Sequence, residues 1–194
     1  MESNSRKTQI LKEIFGYDSF RKGQEEIVDQ ILNGRDVLAI MPTGAGKSLC
    51  YQVPALLMSG ITIVVSPLIS LMIDQVKALN EAGVHAAYIN SALTERQITK
   101  ALELAAAGRY KMIYVAPERL LAPRFLDFAC HTELSMVTID EAHCISQWGQ
   151  DFRPSYVKIT EFIRQLPRRP VVSAFTATAT QKVREDILEV LDLE

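Results

Sequence analysis

The sequence predicts an α/β fold with three layers, in which a mainly parallel sheet carries helices on both faces. Two observations support this prediction. Six short β-prone runs recur along the 194 residues: Asp36–Ile40, Ile61–Val65, His85–Ile89, Lys111–Val115, Met136–Ile139 and Val171–Phe175. Segments with helical spacing lie between most of these runs, and such alternation is typical of parallel sheets with right-handed crossovers. In such sheets, ligands bind at the carboxyl ends of the strands.

The predicted helices are marked by the spacing of their apolar residues and by one cap. Three of them lie between strands, at Leu68–Glu81, Glu95–Ala106 and Tyr156–Gln165. Thr94 is expected to cap the second of these helices, with Gln97 at the capping-box position. A last helix is expected after Ala179, with one face formed by Val183, Ile187 and Leu191.

The composition is that of an ordinary globular protein, with 48% hydrophobic and 23% charged residues. A chain of 194 residues is long enough for a proper core and is expected to form a single domain. The formal net charge of −2 argues against a broad nucleic-acid-binding surface, so any such contact must be local. Cys50, Cys130 and Cys144 form no close pair, which indicates a reducing compartment without a disulfide framework or a zinc site.

One uncharged stretch has the length of a membrane span. Leu49–Ile73 contains 25 residues and no charged side chain. Pro54, Gly60 and Pro67 are expected to divide it into a helix, a turn, a strand and a second helix. A buried parallel strand at Ile61–Val65 explains its apolar character, so we predict no membrane span. The polar residues at the start of the chain show no secretory signal.

The segment 41–48, Met-Pro-Thr-Gly-Ala-Gly-Lys-Ser, is typical of a phosphate-binding loop between a strand and a helix. Gly44 and Gly46 lack Cβ atoms, so the backbone N–H groups there can curl around an anion. Lys47 would reach the β- and γ-phosphates of a nucleotide, and Ser48 would ligate Mg²⁺. The predicted nucleotide-binding residues of the loop are Thr43, Gly44, Ala45, Gly46, Lys47 and Ser48. The loop alone leaves open the alternative of a glycine-rich turn capped by a serine.

The apolar strand Met136–Ile139 ends in two acids, Asp140 and Glu141, which are followed by Ala and His143. Asp140 is placed to hold Mg²⁺, directly or through water, and Glu141 would orient and deprotonate the attacking water. His143 is a candidate for coupling the γ-phosphate to other elements. The predicted catalytic residues are thus Lys47 and these three. Taken alone, the acids would also fit a solvated turn, and His143 would fit a helix start.

A third motif, Ser173–Thr180, is a β-prone run that turns into small hydroxyl-bearing residues. Thr176 and Thr178 would hydrogen-bond Asp140 and His143 and so relay the state of the nucleotide. A strand end with an ordinary threonine cap is the alternative.

With these three motifs in this order, the chain resembles the first motor domain of superfamily-2 helicases. The segment Phe15–Gln24 narrows the resemblance to the RecQ family, because it is similar to that family's N-terminal adenine-reading motif. The resemblance implies that Gln24 pairs with adenine N6 and N7. It also implies that Tyr17 and Arg21 stack on the base. The aromatic residues of this segment would also fit a role in the core.

The most family-specific signal is the segment Cys144–Pro154, which closely matches the aromatic-rich loop of RecQ helicases. The resemblance implies that this loop senses DNA and couples it to ATP hydrolysis. Trp148 and Phe152 would stack on bases of a single strand, each contributing about 1–3 kcal/mol. Arg153 would add a phosphate or cation–π contact, and Gln147 is counted with these DNA-binding or coupling residues. Two aromatic side chains buried under a loop are the alternative.

Two positions depart from the patterns. Met41 occupies the place of the first glycine in the G-x-x-x-x-G-K-[ST] pattern. Gln150 stands where RecQ helicases often carry histidine, so the coupling is expected to differ in strength or detail.

Two further segments resemble motifs that contact the nucleic-acid backbone. Val65–Gln75 resembles motif Ia, and Tyr114–Leu120 resembles the motif that follows it. Ser66 and Arg119 are suited to phosphate oxygens. The stretch around the second motif is locally basic despite the acidic total, through Arg109, Lys111, Arg119 and Arg124. We expect this basic stretch to support the tracking of nucleic acid.

The resemblance covers the chain from about Leu11 to Leu193 and implies a RecA-like P-loop domain, the N-terminal half of an ATP-dependent DNA helicase. ATP and Mg²⁺ are the expected cofactors, and movement along a single strand is expected to run 3′ to 5′. The expected partners are single-stranded and partly duplex DNA, and the remaining helicase domains. Those are a second motor domain and zinc-binding and winged-helix regions, all expected outside residues 1–194. The expected location is the bacterial cytoplasm at the nucleoid, or the nucleus in a eukaryote.

Other interpretations remain open at this point. Another superfamily-2 motor, such as an RNA helicase, carries the same Asp-Glu-Ala-His box, and a nucleotide-binding module without turnover would also use the phosphate-binding loop. The isolated chain is expected to be poorly active, because the resemblance places the catalytic arginine in the second motor domain. A small-molecule kinase fits less well, since it leaves the aromatic-rich loop and the Ala-Thr-Ala-Thr run without a role.

Overall fold

A computed structural model describes residues 2–193 and shows a six-stranded sheet in which every neighbouring pair of strands is parallel. The strands are β1 (Val37–Ile40), β2 (Ile61–Val65), β3 (Ala86–Ile89), β4 (Met112–Val115), β5 (Leu134–Ile139) and β6 (Val171–Thr176). Their spatial order is β1-β6-β5-β2-β4-β3. The predicted α/β class is confirmed, and each predicted strand is present to within two residues at either end.

Helices cover both faces of this sheet. They are α1 (Glu2–Glu13), α2 (Gln24–Leu32), α3 (Lys47–Leu57), α4 (Ile69–Glu81), α5 (Glu95–Ala106), α6 (Pro123–His131), α7 (Pro154–Gln165) and α8 (Gln181–Leu191). Short 3₁₀ turns lie at Pro117–Arg119 and Ala142–Ile145. Helices α1, α2 and α6 are not among those predicted from the sequence.

The core consists of one apolar layer on each face of the sheet. Side chains alternate along β2, so Ile63 packs with residues of α5–α8 and Val64 packs with residues of α2–α4. Every residue of β2 is buried, as expected for a parallel strand covered on both sides. The arrangement accounts for the apolar stretch without any bilayer. Among residues 2–193, no helix combines the length and the apolar character that crossing a membrane requires.

Two local predictions for the helices are confirmed. The Thr94 hydroxyl accepts from the Gln97 N–H, and the Gln97 side chain accepts from the Thr94 N–H, which completes the capping box of α5. The predicted apolar face of α8 is buried at Val183, Ile187 and Leu191.

One local prediction is wrong. Pro54 does not divide the apolar stretch, because α3 continues through it to Leu57. A proline in this position removes one backbone donor, and the packed face of α3 outweighs that loss. The chain instead turns at Gly60, whose φ is +75° and whose missing side chain would meet the Glu133 carbonyl oxygen at 2.5 Å. Glycine is required there on both counts.

Helix α1 braces α2 from outside the sheet. Leu11 packs in a small cluster with Val28 and Val53. The Lys7 ammonium is buried and lies 3.1 Å from a Glu25 carboxylate oxygen and 2.5 Å from an Asp29 oxygen. Burial lowers the pKa of Lys7, whereas the hydrogen bonds and charges of these carboxylates raise it. The second effect is larger, so the pKa of Lys7 lies above its usual value. The contact fixes the helix that begins at the nucleotide-binding side of the sheet.

Candidate nucleotide and nucleic-acid site

The motif residues collect at one edge of the sheet, because they follow the carboxyl ends of four parallel strands. The phosphate-binding loop follows β1, Ser66 follows β2, Asp140 follows β5, and Thr176 ends β6. The strands β1, β6, β5 and β2 are consecutive neighbours in the sheet. This is the edge at which α/β sheets bind ligands.

The phosphate-binding loop has the backbone that its glycines predict. Gly44 and Gly46 both have φ of +81°, a conformation that side chains rarely adopt. A Cβ on Gly46 would also lie 2.4 Å from Gln24 Nε2. Helix α3 begins immediately afterwards at Lys47, so the free N–H groups of its first turn face the loop. The Lys47 ammonium lies 3.4 Å from the Met41 carbonyl oxygen.

The surroundings of Met41 show why this position does not require the first glycine of the pattern. Its N–H donates to the Thr176 carbonyl at 2.9 Å, which extends the β1–β6 ladder by one residue, and its side chain is buried. The position therefore needs an ordinary strand conformation and has apolar neighbours.

The two acids lie in different surroundings at the tip of β5. Asp140 is held through its backbone, where its N–H donates to Val65 O at 2.9 Å and its carbonyl accepts from the Tyr156 hydroxyl at 2.9 Å. Burial, followed by the neighbouring charge of Glu141, raises the pKa of Asp140 to about 6. Glu141 has φ of +51°, a left-handed conformation that costs about 1 kcal/mol for a residue with a side chain.

His143 is joined to the end of β6 by a directional chain of hydrogen bonds. Its Nδ1 lies 2.9 Å from Thr176 Oγ1, and that hydroxyl donates to the Thr178 carbonyl at 3.1 Å. Thr176 therefore contacts His143 as predicted, whereas Thr178 contributes its carbonyl and not its hydroxyl. Within residues 2–193, neither threonine hydroxyl hydrogen-bonds Asp140. A Glu141 carboxylate oxygen lies 3.3 Å from the same Nδ1.

These groups line one pocket with a volume of about 400 Å³. The phosphate-binding loop forms its floor, the two acids form one wall, and the segment before α2 forms the other. Its lining residues are Tyr17, Ser19, Arg21, Gln24, Thr43, Gly44, Gly46, Lys47, Ser48, Leu49, Leu71, Asp140 and Glu141. The structure thus brings together most of the predicted nucleotide-binding and catalytic residues. Four predicted residues lie outside this lining: Ala45, His143, Thr176 and Thr178. Thr176 connects to the lining through His143, which lies 3.3 Å from Glu141.

The segment that resembles the adenine-reading motif is hydrogen-bonded to the predicted phosphate-binding loop. The Arg21 guanidinium donates to the Gly44 carbonyl at 2.7 Å. Buried Gln24 uses both ends of its amide, since Nε2 donates to the carbonyls of Ala45 and Gly46 at 3.1 Å and Oε1 accepts from the Arg21 N–H at 2.8 Å. Pairing of this amide with adenine therefore requires it to exchange at least one of these bonds. Tyr17 is half-exposed at the pocket mouth.

The aromatic-rich loop presents its tryptophan to solvent. The Trp148 side chain is 63% exposed, which excludes the alternative in which both aromatic residues are buried. One face of its ring is covered by the Lys182 ammonium, 3.2 Å from the ring centre. Phe152 is half-buried, and Gln147 is exposed. Arg153 is half-buried and pairs with Asp151 at 3.2 Å. Burial lowers the pKa of Arg153, but the hydrogen bond and charge of Asp151 outweigh that effect and leave the pKa raised.

The expected basic stretch does not form one surface. Lys111 lies at the opposite, amino end of β4, where its ammonium donates to the Met58 carbonyl at 2.5 Å and the Gly60 carbonyl at 3.3 Å. Arg109 also precedes β4, whereas Arg119 follows it. The four basic residues are close in sequence, but a strand separates them into two groups at opposite ends of the sheet. This part of the interpretation is wrong.

The two backbone-contacting candidates lie at the carboxyl edge. The Ser66 hydroxyl is buried and has no hydrogen-bond partner among the described residues. Arg119 lies 3.5 Å from a Glu95 carboxylate oxygen and is partly exposed. An unpartnered buried hydroxyl at a ligand-binding edge is consistent with a group that awaits an acceptor.

Several contributors to the site were not predicted as site residues. Ser19 and Leu71 lie within motif segments and line the pocket, whereas Lys182, which covers the tryptophan ring, belongs to no motif. Each reaches the site only because distant segments pack together. Tyr156 is likewise bonded to the backbone of Asp140. Its position within the predicted apolar face of α7 gives no indication of that hydroxyl contact.

Residues 21–187 match the DEAD/DEAH box helicase family, and the chain belongs to that family. The resemblance to RecQ helicases is confirmed at the level of sequence. The chain is 50% identical over 190 residues to the ATP-dependent DNA helicase RecQ of Bacillus subtilis strain 168, covering 97% of this chain and 32% of that protein. It is 46% identical over 185 residues to the RecQ helicase of Haemophilus influenzae, covering 95% and 30%. The chain spans about a third of the length of these relatives.

Solved structures of helicases share the fold. The DUF1998 helicase MrfA bound to DNA and AMPPNP superposes with a TM-score of 0.76 at 17% identity, covering 96% of this chain and 28% of that one. The Pyrococcus furiosus Hef helicase domain gives a TM-score of 0.69 at 21% identity, covering 97% and 38%. The RecA-like architecture predicted from the sequence is therefore confirmed.

Proposed function

We propose that the chain is the ATP-binding motor half of an ATP-dependent 3′–5′ DNA helicase. The observation that carries this proposal is the single pocket in which the phosphate-binding loop, the two acids and the segment before α2 converge. The relatives at 50% and 46% identity bear the name of ATP-dependent DNA helicases, which specifies the class of motor.

The loop is suited to hold the phosphates of ATP. The two left-handed glycines turn the backbone, and the first turn of α3 presents free N–H groups to an anion. Lys47 is bonded only weakly, at 3.4 Å, to a carbonyl, so its ammonium can move to a β- or γ-phosphate. Tyr17 and Arg21, at the pocket mouth, would contact the base.

The same pocket offers a site for Mg²⁺. The Ser48 hydroxyl and the Asp140 carboxylate both line it, and oxygen donors are the ligands that this ion prefers. Asp140 is half-buried, and the pKa of its carboxylate is raised to about 6, so a cation would offset an otherwise unfavourable charge. When bound, the ion would neutralise charge that develops on the phosphates.

Glu141 is placed to act on water. Its left-handed backbone directs the carboxylate into the pocket beside Asp140, where it would accept the proton of the attacking water. His143 connects that carboxylate to Thr176 at the end of β6 through distances of 3.3 and 2.9 Å. Movement at the nucleotide would therefore reach β6 and the adjacent aromatic-rich loop.

DNA would contact the carboxyl edge through the exposed loop and the groups beside it. Trp148 and Phe152 offer stacking surfaces for bases, and Ser66, Arg119 and Arg153 offer donors for phosphates. A solved relative by fold, MrfA, is bound to DNA. The remaining two thirds of the full-length relatives would supply the second motor domain with its arginine and the duplex-gripping regions.

The test is steady-state ATP hydrolysis by this chain, with and without single-stranded DNA, using Glu141→Gln as the control for contaminating ATPases. We expect Mg·ATP binding with little or no turnover, because the catalytic arginine would come from the second motor domain. Turnover that DNA stimulates and Glu141→Gln abolishes would show that the chain completes its own site, and would contradict the proposal of a half motor.

The choice between DNA and RNA requires the full-length enzyme. We expect single-stranded DNA to stimulate its ATPase more than RNA of the same length and sequence, and Trp148→Ala to reduce that stimulation. Stronger stimulation by RNA would favour the RNA-helicase alternative. A stimulation ratio unchanged by Trp148→Ala would remove the coupling role of the aromatic-rich loop.

A further inference from the structure

Three metal-binding side chains converge between the Asp-Glu-Ala-His segment and the aromatic-rich loop, outside the nucleotide pocket. They are His143, Cys144 and Asp151, whose ligand atoms all lie within 4.8 Å of one another. Cys144 Sγ is 3.8 Å from His143 Nε2 and 3.7 Å from Asp151 Oδ2. The spacing of the cysteines predicts no zinc site, because they form no close pair, but the fold supplies a nitrogen and an oxygen donor beside one of them.

The hydrogen bonds around His143 determine which of its nitrogens is free. The Thr176 hydroxyl donates its only proton to the Thr178 carbonyl, at 3.1 Å. It must therefore accept from His143, so the proton of the neutral ring is on Nδ1, 2.9 Å away. The Glu141 carboxylate, 3.3 Å from Nδ1, favours the same tautomer. Nε2 then carries a lone pair and faces the Cys144 sulfur. Metal-binding histidines are oriented in this way by a partner on the other ring nitrogen.

We propose that His143 Nε2, Cys144 Sγ and a carboxylate oxygen of Asp151 form a binding site for a zinc-like divalent cation. The site is distinct from the magnesium site at Ser48 and Asp140, and it stands whether or not the chain is a helicase motor.

The geometry is close to that of a three-ligand zinc site. Zinc–nitrogen bonds of about 2.0 Å and zinc–sulfur bonds of about 2.3 Å place tetrahedral neighbours about 3.5 Å apart. The separations of Cys144 Sγ from the other two ligand atoms, 3.8 and 3.7 Å, need a contraction of only a few tenths of an ångström. The His143 nitrogen and the Asp151 oxygen, which lie within 4.8 Å of each other, need a larger approach. Asp151 belongs to an exposed turn and can supply that movement. A fourth position is left for water, because an open pocket of about 430 Å³ borders His143 and Asp151.

The donor set selects the metal. Nitrogen and thiolate donors favour zinc over magnesium, which prefers oxygen. Without metal, the Cys144 thiol is protonated and donates to Asp151, because burial and then the charge of Asp151 raise its pKa to about 12. Binding would release that proton to solvent and leave the thiolate on the metal. Arg153 also pairs with Asp151 Oδ2, at 3.2 Å, so the metal and Arg153 would divide between the two carboxylate oxygens.

Occupancy of this site would connect the acids to the DNA-sensing loop. The metal would fix Asp151, three residues after Trp148, to His143, whose other ring nitrogen lies 3.3 Å from Glu141. A soft divalent cation would thereby restrain the loop whose movement couples DNA to hydrolysis.

The test measures metal binding to the nucleotide-free chain, with a chromophoric chelator as competitor for Zn²⁺ and with Co²⁺ as a spectroscopic probe. We expect about one high-affinity Zn²⁺ per chain in a background of millimolar Mg²⁺. Co²⁺ should give a thiolate-to-metal charge-transfer band and the visible absorption of a tetrahedral ion. Cys144→Ser and Asp151→Asn should each weaken Zn²⁺ binding by at least about tenfold.

Cys130→Ser is the matched control, because Cys130 is a free thiol far from the site, at the end of α6. It should keep the wild-type affinity. Asp151 is exposed, so Asp151→Asn removes no core contact and the variant should fold like the wild type. The proposal is overturned if either site variant binds Zn²⁺ as tightly as the wild type, if Cys130→Ser loses affinity equally, or if Co²⁺ gives no thiolate band.

Discussion

At the amino end of the sheet, charged side chains are paired within the protein, whereas at the carboxyl end several polar groups are left open to the pocket. Asp36, just before β1, accepts from the Val172 N–H at 2.8 Å and pairs with Arg169 at 2.6 Å. Lys111, just before β4, donates to backbone carbonyls at 2.5 and 3.3 Å. These bonds satisfy the charges and join distant segments.

At the carboxyl end of the same strands, several charged and polar groups lack such partners and the backbone is strained. Asp140 is half-buried beside a second acid, Glu141 holds a left-handed backbone, and the Ser66 hydroxyl has no partner among the described residues. Such strain persists where the surrounding structure enforces it. One end of the sheet therefore stabilises the fold, while the other end keeps unsatisfied groups that a ligand would satisfy.

The largest expected effect is a loss of nucleotide affinity caused by a substitution at the carboxyl end of the sheet. Lys47→Ala should weaken Mg·ATP binding at least about 100-fold, because it removes the cation at the phosphates, while stability changes little. Titration calorimetry measures the affinity. Lys77→Ala, on an exposed face of α4, is the control and should bind normally. Wild-type affinity in Lys47→Ala would refute the assignment of the loop.

The second-largest expected effect is a loss of stability caused by a substitution at the amino end of the sheet. Asp36→Ala should lower the free energy of unfolding by about 2–3 kcal/mol, because Arg169 and the Val172 N–H lose a buried partner. Urea unfolding measures this change. Mg·ATP affinity should stay within about twofold of the wild type, since the site lies at the far end of the strands. A large loss of Mg·ATP affinity with unchanged stability would contradict the assignment of a structural role to the amino end of the sheet.

A substitution at the carboxyl end should act in the opposite direction. Asp140→Asn should raise the free energy of unfolding of the nucleotide-free chain at pH 7 by about 1–2 kcal/mol, while Mg²⁺-dependent nucleotide binding falls. The pKa of Asp140 is raised from 3.8 to about 6, so its ionisation costs stability as pH rises through that window. The gain should therefore vanish below about pH 4. Destabilisation at pH 7 would show that the buried charge is compensated without a ligand.

The smallest effect concerns the aromatic-rich loop. Lys182→Ala should raise the acrylamide quenching of Trp148 fluorescence by up to about twofold, because the ammonium covers one face of the ring and the contact is worth about 0.5–1 kcal/mol. Trp148 is the chain's single tryptophan, so the signal is unambiguous. Lys158→Ala is the matched surface control. Equal quenching in the two variants would show that Lys182 does not cover the ring in solution.

The sequence was sufficient for the strands and the motif positions, because both depend on local patterns. Apolar runs define the six strands, and parallel topology then places Lys47, Asp140 and Thr176 at one edge. The contacts that required the structure depend on packing between distant segments. Examples are the bonds of Gln24 to the phosphate-binding loop and the approach of Asp151 to Cys144.

The errors have the same physical origin. Lys111 is near Arg119 in sequence, but β4 carries the two to opposite ends of the sheet. Pro54 is a helix breaker by local propensity, and the buried face of α3 overrides it. Local sequence patterns therefore predict helices and strands well. They predict the surface on which a charged side chain lies only when the topology of the sheet is also known.

The most direct test of the central claim is the shift in thermal unfolding midpoint that Mg·ATP produces. A ligand at 100 times its dissociation constant stabilises the folded state by about 2.7 kcal/mol. We predict that the wild type and Asp36→Ala both gain that stabilisation and that Lys47→Ala gains none. No shift in the wild type, or an equal shift in Lys47→Ala, would contradict the claim that the carboxyl end of the sheet is completed by nucleotide.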